Sequence, residues 1–197
     1  MTLRKWFRLF FTALLIGIIT SVAVGLILEF TDQAFPIPTM SGVGFNVVNM
    51  TLGGATISLL SQMGFFSFLI VRFIAIGIIR NKVIWDLIQL TLTIVAIIDL
   101  VYLRYSNFNG DSLLLYTIMP LLILAISLGV SYWKVKLTNK NAFIPTLFFM
   151  VVVTILEAVP ALKLNNTASS IFMLTPLIVC NSYQILSLHK MTENKKS

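Results

Sequence analysis

The chain has 197 residues, of which 58% are hydrophobic and only 11% charged, with a mean hydropathy of +0.96. A water-soluble domain of that length needs far more charge to cover its surface, so the composition excludes one. The net charge of +7 could suggest a nucleic-acid footprint. Membrane topology explains it better, and no nucleic-acid partner is expected.

The apolar residues fall in blocks of about 20, the length that crosses the roughly 30 Å hydrocarbon core of a bilayer as a helix. The expected fold is all-α: a polytopic six-helix transmembrane bundle with short loops, residues 1–197 making a single integral membrane domain. The spans are expected at about 9–28, 47–79, 83–102, 113–132, 143–162 and 171–188.

The first span follows Arg4, Lys5, Trp6 and Arg8, a basic cluster that sets orientation and touches lipid headgroups. Its apolar run is longer than a signal-peptide h-region, so it reads as an uncleaved signal-anchor helix. Gly17, Ser21 and Gly25 recur every four residues and form a small-residue stripe for close helix packing. The partner of that stripe is open: another helix of the chain, or another protein.

The second block, 47–79, is too long for one perpendicular span, at about 50 Å for 1.5 Å per residue. It is expected to tilt or to break at Gly53-Gly54. Near its end, Arg72 enters the membrane, and Asp86 enters the next span at similar depth across the turn Arg80-Asn81-Lys82. Two readings stand for Arg72: an ion pair with Asp86 that clamps the second and third helices, or snorkelling to lipid phosphates. Toward the opposite face lie Asp99, Arg104, Glu157 and Lys163, with Glu29 near them. Asp99 and Arg104, five residues apart, do not share a helix face. The group reads either as charges solvated at the interface or as an interhelical cluster in which Glu157 meets Asp99. Gln62, Gln89, Asn181 and Gln184 read as hydrogen-bonding glue between helices, and Pro120, Pro145, Pro160 and Pro176 as sites of kinks.

Basic residues collect on one side of this topology. Arg4, Lys5 and Arg8, then Arg80 and Lys82, then Lys134, Lys136 and Lys140 in the loop between the fourth and fifth spans, and finally Lys190, Lys195 and Lys196 all share it. Both termini are therefore expected in the cytoplasm, with Glu29 and Asp32 outside.

Chemistry is sparse. His189, the single histidine, lies at a helix end without metal-type neighbours. The zinc-peptidase pattern H-E-x-x-H and Gly-rich phosphate loops are absent. Asp86 and Asp99 are thirteen positions apart on one helix, about 20 Å, and so make no carboxylate dyad. Cys180 is alone, which rules out an intramolecular disulfide. No enzyme activity, metal or cofactor is expected.

Three stretches carry more. Residues 4–17 read RKWFRLFFTALLIG, residues 61–66 read SQMGFF and residues 99–105 read DLVYLRY. In this order they resemble the KbaA family, the KinB-signalling pathway activation proteins of spore-forming bacilli. The resemblance implies an integral membrane accessory protein that activates the sensor histidine kinase KinB and so feeds the sporulation phosphorelay. Gln62, Gly64, Asp99, Tyr102, Arg104 and Tyr105 carry over as structural or contact positions, without a catalytic role. The implied partners are a sensor histidine kinase in the membrane and the membrane lipids, with the first-helix stripe and SQMGFF as contact surfaces. A small transporter or channel using Arg72, Asp86 and Asp99 along a polar route is the alternative.

Overall fold

A computed structural model describes residues 3–31, 40–107, 113–163 and 167–192. It holds six helices long and apolar enough to cross a membrane. They are α1 (Leu3–Thr31), α2 (Met40–Ile78), α3 (Lys82–Asn107), α4 (Leu113–Leu137), a composite fifth span and α7 (Thr167–Thr192). The fifth span is assembled from a 3-10 turn (Lys140–Ala142), α5 (Phe143–Phe148), a π-helical turn (Phe149–Val153) and α6 (Thr154–Leu162). Asp32 and the tail beyond Thr192 lie outside the described residues.

The helices run several residues past the hydropathy blocks at most ends, because backbone hydrogen bonds favour helix through the interface wherever side chains reach water. One consequence corrects the placement of Lys134. It belongs to the last turns of α4, not to a loop. It is 5% exposed, and its Nζ donates to the carbonyl of Ile185 on α7 at 2.6 Å.

The second block does not break at Gly53-Gly54; α2 is continuous from Met40 to Ile78. Gly54 instead allows close approach. A Cβ on Gly54 would lie 2.7 Å from Ser21 Cβ and 2.9 Å from the Gly17 carbonyl oxygen, and one on Gly17 would lie 2.6 Å from Ser58 Cβ. Gly25 packs on the Met50 side chain. The Gly17, Ser21, Gly25 stripe is thus covered by α2 and, through Cys180, by α7. Its partner lies within the chain, so it is not a surface for another protein. With no hydrophobic driving force between helices in lipid, such backbone proximity and interhelical hydrogen bonds hold a bundle together.

The fifth span is the centre of the bundle: 61% of it is buried, against 22% of each of the first three. On one side it packs Leu147, Val151 and Ile155 with Leu100 of α3, Ile123 of α4 and Leu177 of α7. On the other, Phe149 meets Phe65 at a centroid distance of 5.6 Å and Phe68 at 5.1 Å. Pro145 stands in the first turn of α5, where its missing N–H leaves no helical bond unmade. Pro120, Pro160 and Pro176 lie inside α4, α6 and α7. The change in helical winding falls at Phe149–Val153, which holds no proline.

Candidate functional site

Directly after the π-helical turn, the fifth span presents Thr154 and Glu157 to α7 and α2. Asn181 of α7 donates from Nδ2 to Thr154 Oγ1 at 3.0 Å and to Glu157 Oε2 at 3.1 Å. Ser61 of α2 donates to Asn181 Oδ1 at 2.7 Å and accepts from Gln184 Nε2 at 2.9 Å. Next to Ser61 in the chain, Gln62 Nε2 reaches the Phe10 carbonyl at 3.4 Å and Ser58 Oγ at 3.3 Å, and Ser58 donates to the Ala13 carbonyl at 2.9 Å. The set therefore links α1, α2, α6 and α7 through polar groups at membrane depth. A single extra winding residue in a π-turn re-aims the side chains that follow it, and such turns occur often at functional sites.

The network is short of donors. Among the described residues, Gln62 Oε1 and Gln184 Oε1 are buried and accept no hydrogen bond, and Glu157 Oε1 has no donor beyond the adjoining Gly64 backbone. A half-satisfied network in low dielectric is costly, because each bare acceptor keeps its desolvation penalty. Gly64 makes room for Glu157: a Cβ there would collide with Glu157 Oε1 and with Val153 Cγ1. Beside this point a groove of about 340 Å³ runs between α2 and the fifth span, with Gly64, Glu157, Ser67, Val71 and Leu156 among its lining residues. Ser67, Val71 and Leu156 are exposed, as are Met63 and Phe66 of SQMGFF. The groove opens outward.

The other sequence-derived residues are dispersed. Arg72 and Asp86 make no direct ion pair among the described residues, though Asp86 acts on Arg72 electrostatically. Lys134 adds a like charge within reach of Arg72. Glu157 binds Asn181 rather than Asp99. Asp99, Tyr102 and Tyr105 are exposed on α3, and Arg104 is half-buried. Neither of the two cavities described here is lined by Arg72, Asp86 or Asp99, so no polar route joins them through these cavities. Of the four glue residues, Gln62, Asn181 and Gln184 bond across helices. Gln89, 0% exposed, does not, and both of its amide atoms lack a partner. Sequence reasoning missed Ser61, Thr154 and Lys134 as bonding partners; hydroxyls on apolar helices give no sign of which neighbour they face.

Among the described residues, no group of three or more His, Cys, Asp or Glu side chains could hold a metal. Fold and site together define a multi-pass α-helical membrane protein whose polar chemistry joins helices to one another. The sequence model of the KbaA family, described as KinB-signalling pathway activation in sporulation, matches residues 17–191, and the chain belongs to that family. It is similar to the KinB-signaling pathway activation protein of Bacillus subtilis (strain 168), with 37% identity over 191 residues, covering 95% of this chain and 96% of the relative. No solved structure matches.

Proposed function

We propose that this chain acts as one integral membrane domain, without catalysis of its own, that activates a KinB-type sensor histidine kinase by holding one of the kinase's transmembrane helices in the groove between α2 and the fifth span. Family membership supports the pathway. The observation that carries the mechanism is the open groove floored by Gly64 and Glu157, whose Oε1 has no donor beyond the adjoining Gly64 backbone. A helix seated there covers the exposed Ser67, Val71 and Leu156 and brings a donor close to Glu157 Oε1. Activation further requires that the groove bind the active arrangement of the kinase more tightly than the inactive one, since equal binding shifts nothing. A tenfold shift in the kinase equilibrium needs a difference of about 1.4 kcal/mol, the size of one or two buried hydrogen bonds.

The excess of Lys and Arg at one end supports an orientation with that end in the cytoplasm. Arg4 and Arg8 in the first turns of α1, Arg80 before α3 and Lys82 at its start, Lys136 in the last turn of α4, Lys140 in the 3-10 turn before α5, and Lys190 near the end of α7 share that end by helix alternation. The kinase's catalytic region would work on that same side.

Site-specific crosslinking tests the groove. A photo-crosslinking residue at Ser67 should capture the kinase in native membranes, and one at the exposed Tyr132 on α4 should not. Equal capture from both positions would refute the groove as the docking site.

A further inference from the structure

A larger cavity, of about 880 Å³, lies toward the other end of the α1–α2 hairpin, away from the basic residues. That volume lies within the range of small-molecule sites. Its α2 wall recurs at Asn46, Met50, Gly53, Ile57 and Leu60, one helix face extending from residue 46 to residue 60. The face is about 21 Å long at 1.5 Å per residue. One leaflet of hydrocarbon is about 15 Å, half of the roughly 30 Å core, so the cavity matches one leaflet plus part of its headgroup layer. Pro160 and Ala161 of α6 with Phe172 and Met173 of α7 line it opposite α2.

Ile57, Leu60 and Met173 make one end mainly apolar, with the Thr56 hydroxyl turned onto the Leu52 carbonyl of its own helix, whereas Glu29 and Asn46 supply polar groups at the α1 terminus. Glu29 is only 8% exposed. Its Oε1 accepts from Asn46 Nδ2 at 2.8 Å, and its Oε2 accepts from no described residue. No Lys or Arg stands among the lining residues. A largely buried carboxylate is costly without a cation or sufficient donors, and among the described residues this one has a single amide. A hydrogen-bonding cation, delivered at headgroup depth with an apolar chain attached, would complement it.

We propose that this cavity binds one membrane lipid whose headgroup carries a primary ammonium, the ammonium donating to Glu29 and an acyl chain lying along α2 toward Leu60. The chain is held by Gly53, whose bare Cα leaves space: a methyl there would meet only Phe172, at 3.4 and 3.5 Å. A longer side chain at that position must project into the cavity.

Native mass spectrometry of the full chain, equilibrated with phosphatidylethanolamine, phosphatidylcholine or phosphatidylglycerol, tests this. The wild type should retain phosphatidylethanolamine roughly tenfold better than phosphatidylcholine, whose quaternary ammonium has no N–H, as expected for a hydrogen bond to a charged group. Phosphatidylglycerol, which is anionic, should bind no better than phosphatidylcholine. Glu29→Gln should lower retention of phosphatidylethanolamine to the level of phosphatidylcholine. Gly53→Leu should reduce retention of all three lipids, with Cys180 still shielded from maleimide as the check on folding. Equal retention of the three lipids by the wild type, or a preference that survives Glu29→Gln, overturns the proposal. The kinase plays no part in this readout, so its outcome is independent of the docking reading.

Discussion

Gly54→Ala tests whether the α1–α2 contact is as close as the structure makes it. The new Cβ would lie 2.7 Å from Ser21 Cβ, 2.9 Å from the Gly17 carbonyl oxygen and 2.9 Å from Ile18 Cα. Two of these three atoms are backbone, so no rotamer change relieves them. Restoring a carbon–carbon separation of about 3.5 Å requires α1 to withdraw by about 0.8 Å. Such overpacking costs about 1–3 kcal/mol. The withdrawal also stretches the bond from Ser58 Oγ to the Ala13 carbonyl, now 2.9 Å, and interhelical bonds of this kind contribute about 0.6 kcal/mol. Helix propensity works the other way, since Ala is better than Gly by up to about 1 kcal/mol. Gly129→Ala supplies the reference, because a Cβ there meets nothing within 4 Å and only propensity changes. Steric-trap unfolding in bicelles should therefore rank Gly129→Ala at or above wild type and Gly54→Ala about 2–3 kcal/mol below Gly129→Ala. Equal stability of the two variants would refute the tight hairpin.

Further predictions follow from single side chains. Lys134→Ala should destabilise by about 1–3 kcal/mol in the same assay, because it bares a buried site and removes the donor to the Ile185 carbonyl; Lys136→Ala, at an exposed position over the Tyr132 ring, should stay within about 1 kcal/mol. Asn181→Leu deletes the bonds to Ser61, Thr154 and Glu157 together. It should lower stability by more than Ser61→Ala and Thr154→Ala combined, a non-additivity measurable by a mutant cycle. Cys180 is wholly buried and should react with a small maleimide only as fast as the bundle opens, so labelling that outruns unfolding would contradict the α1–α7 packing.

The spans were legible because length and hydropathy are local properties, and a bilayer imposes the same rule on every segment. The role of Gly17, Ser21 and Gly25 in packing was legible too, since a period of four small residues has one physical use. Which surface they pack against was not: Gly54 and Ser58 lie some 35 to 40 residues away, and sequence does not give that register. The same gap left a break at Gly53-Gly54 open beside a tilt, when α2 is continuous and the missing side chain of Gly54 serves an approach rather than a bend. Lys134 looked like a loop cation because its charge ended the hydropathy block, yet α4 continues to Leu137 and turns it onto α7. Glu157 was visible as an unusual intramembrane carboxylate, but its partner depends on the π-turn at Phe149–Val153, and that turn has no proline or glycine to announce it. The SQMGFF segment was picked out by resemblance. The structure adds that Ser61 and Gln62 face inward while Met63 and Phe66 face outward.

The most direct measurement of the account is autophosphorylation of the kinase in proteoliposomes with and without this protein, comparing wild type with Ser67→Trp. Ser67 is exposed at the groove wall, so the indole fills the groove without entering the core. Raised kinase phosphorylation with wild type, lost with an inserted and folded Ser67→Trp variant, is the result predicted. A kinase indifferent to the wild-type protein, or activated equally by the groove-filled variant, would contradict it.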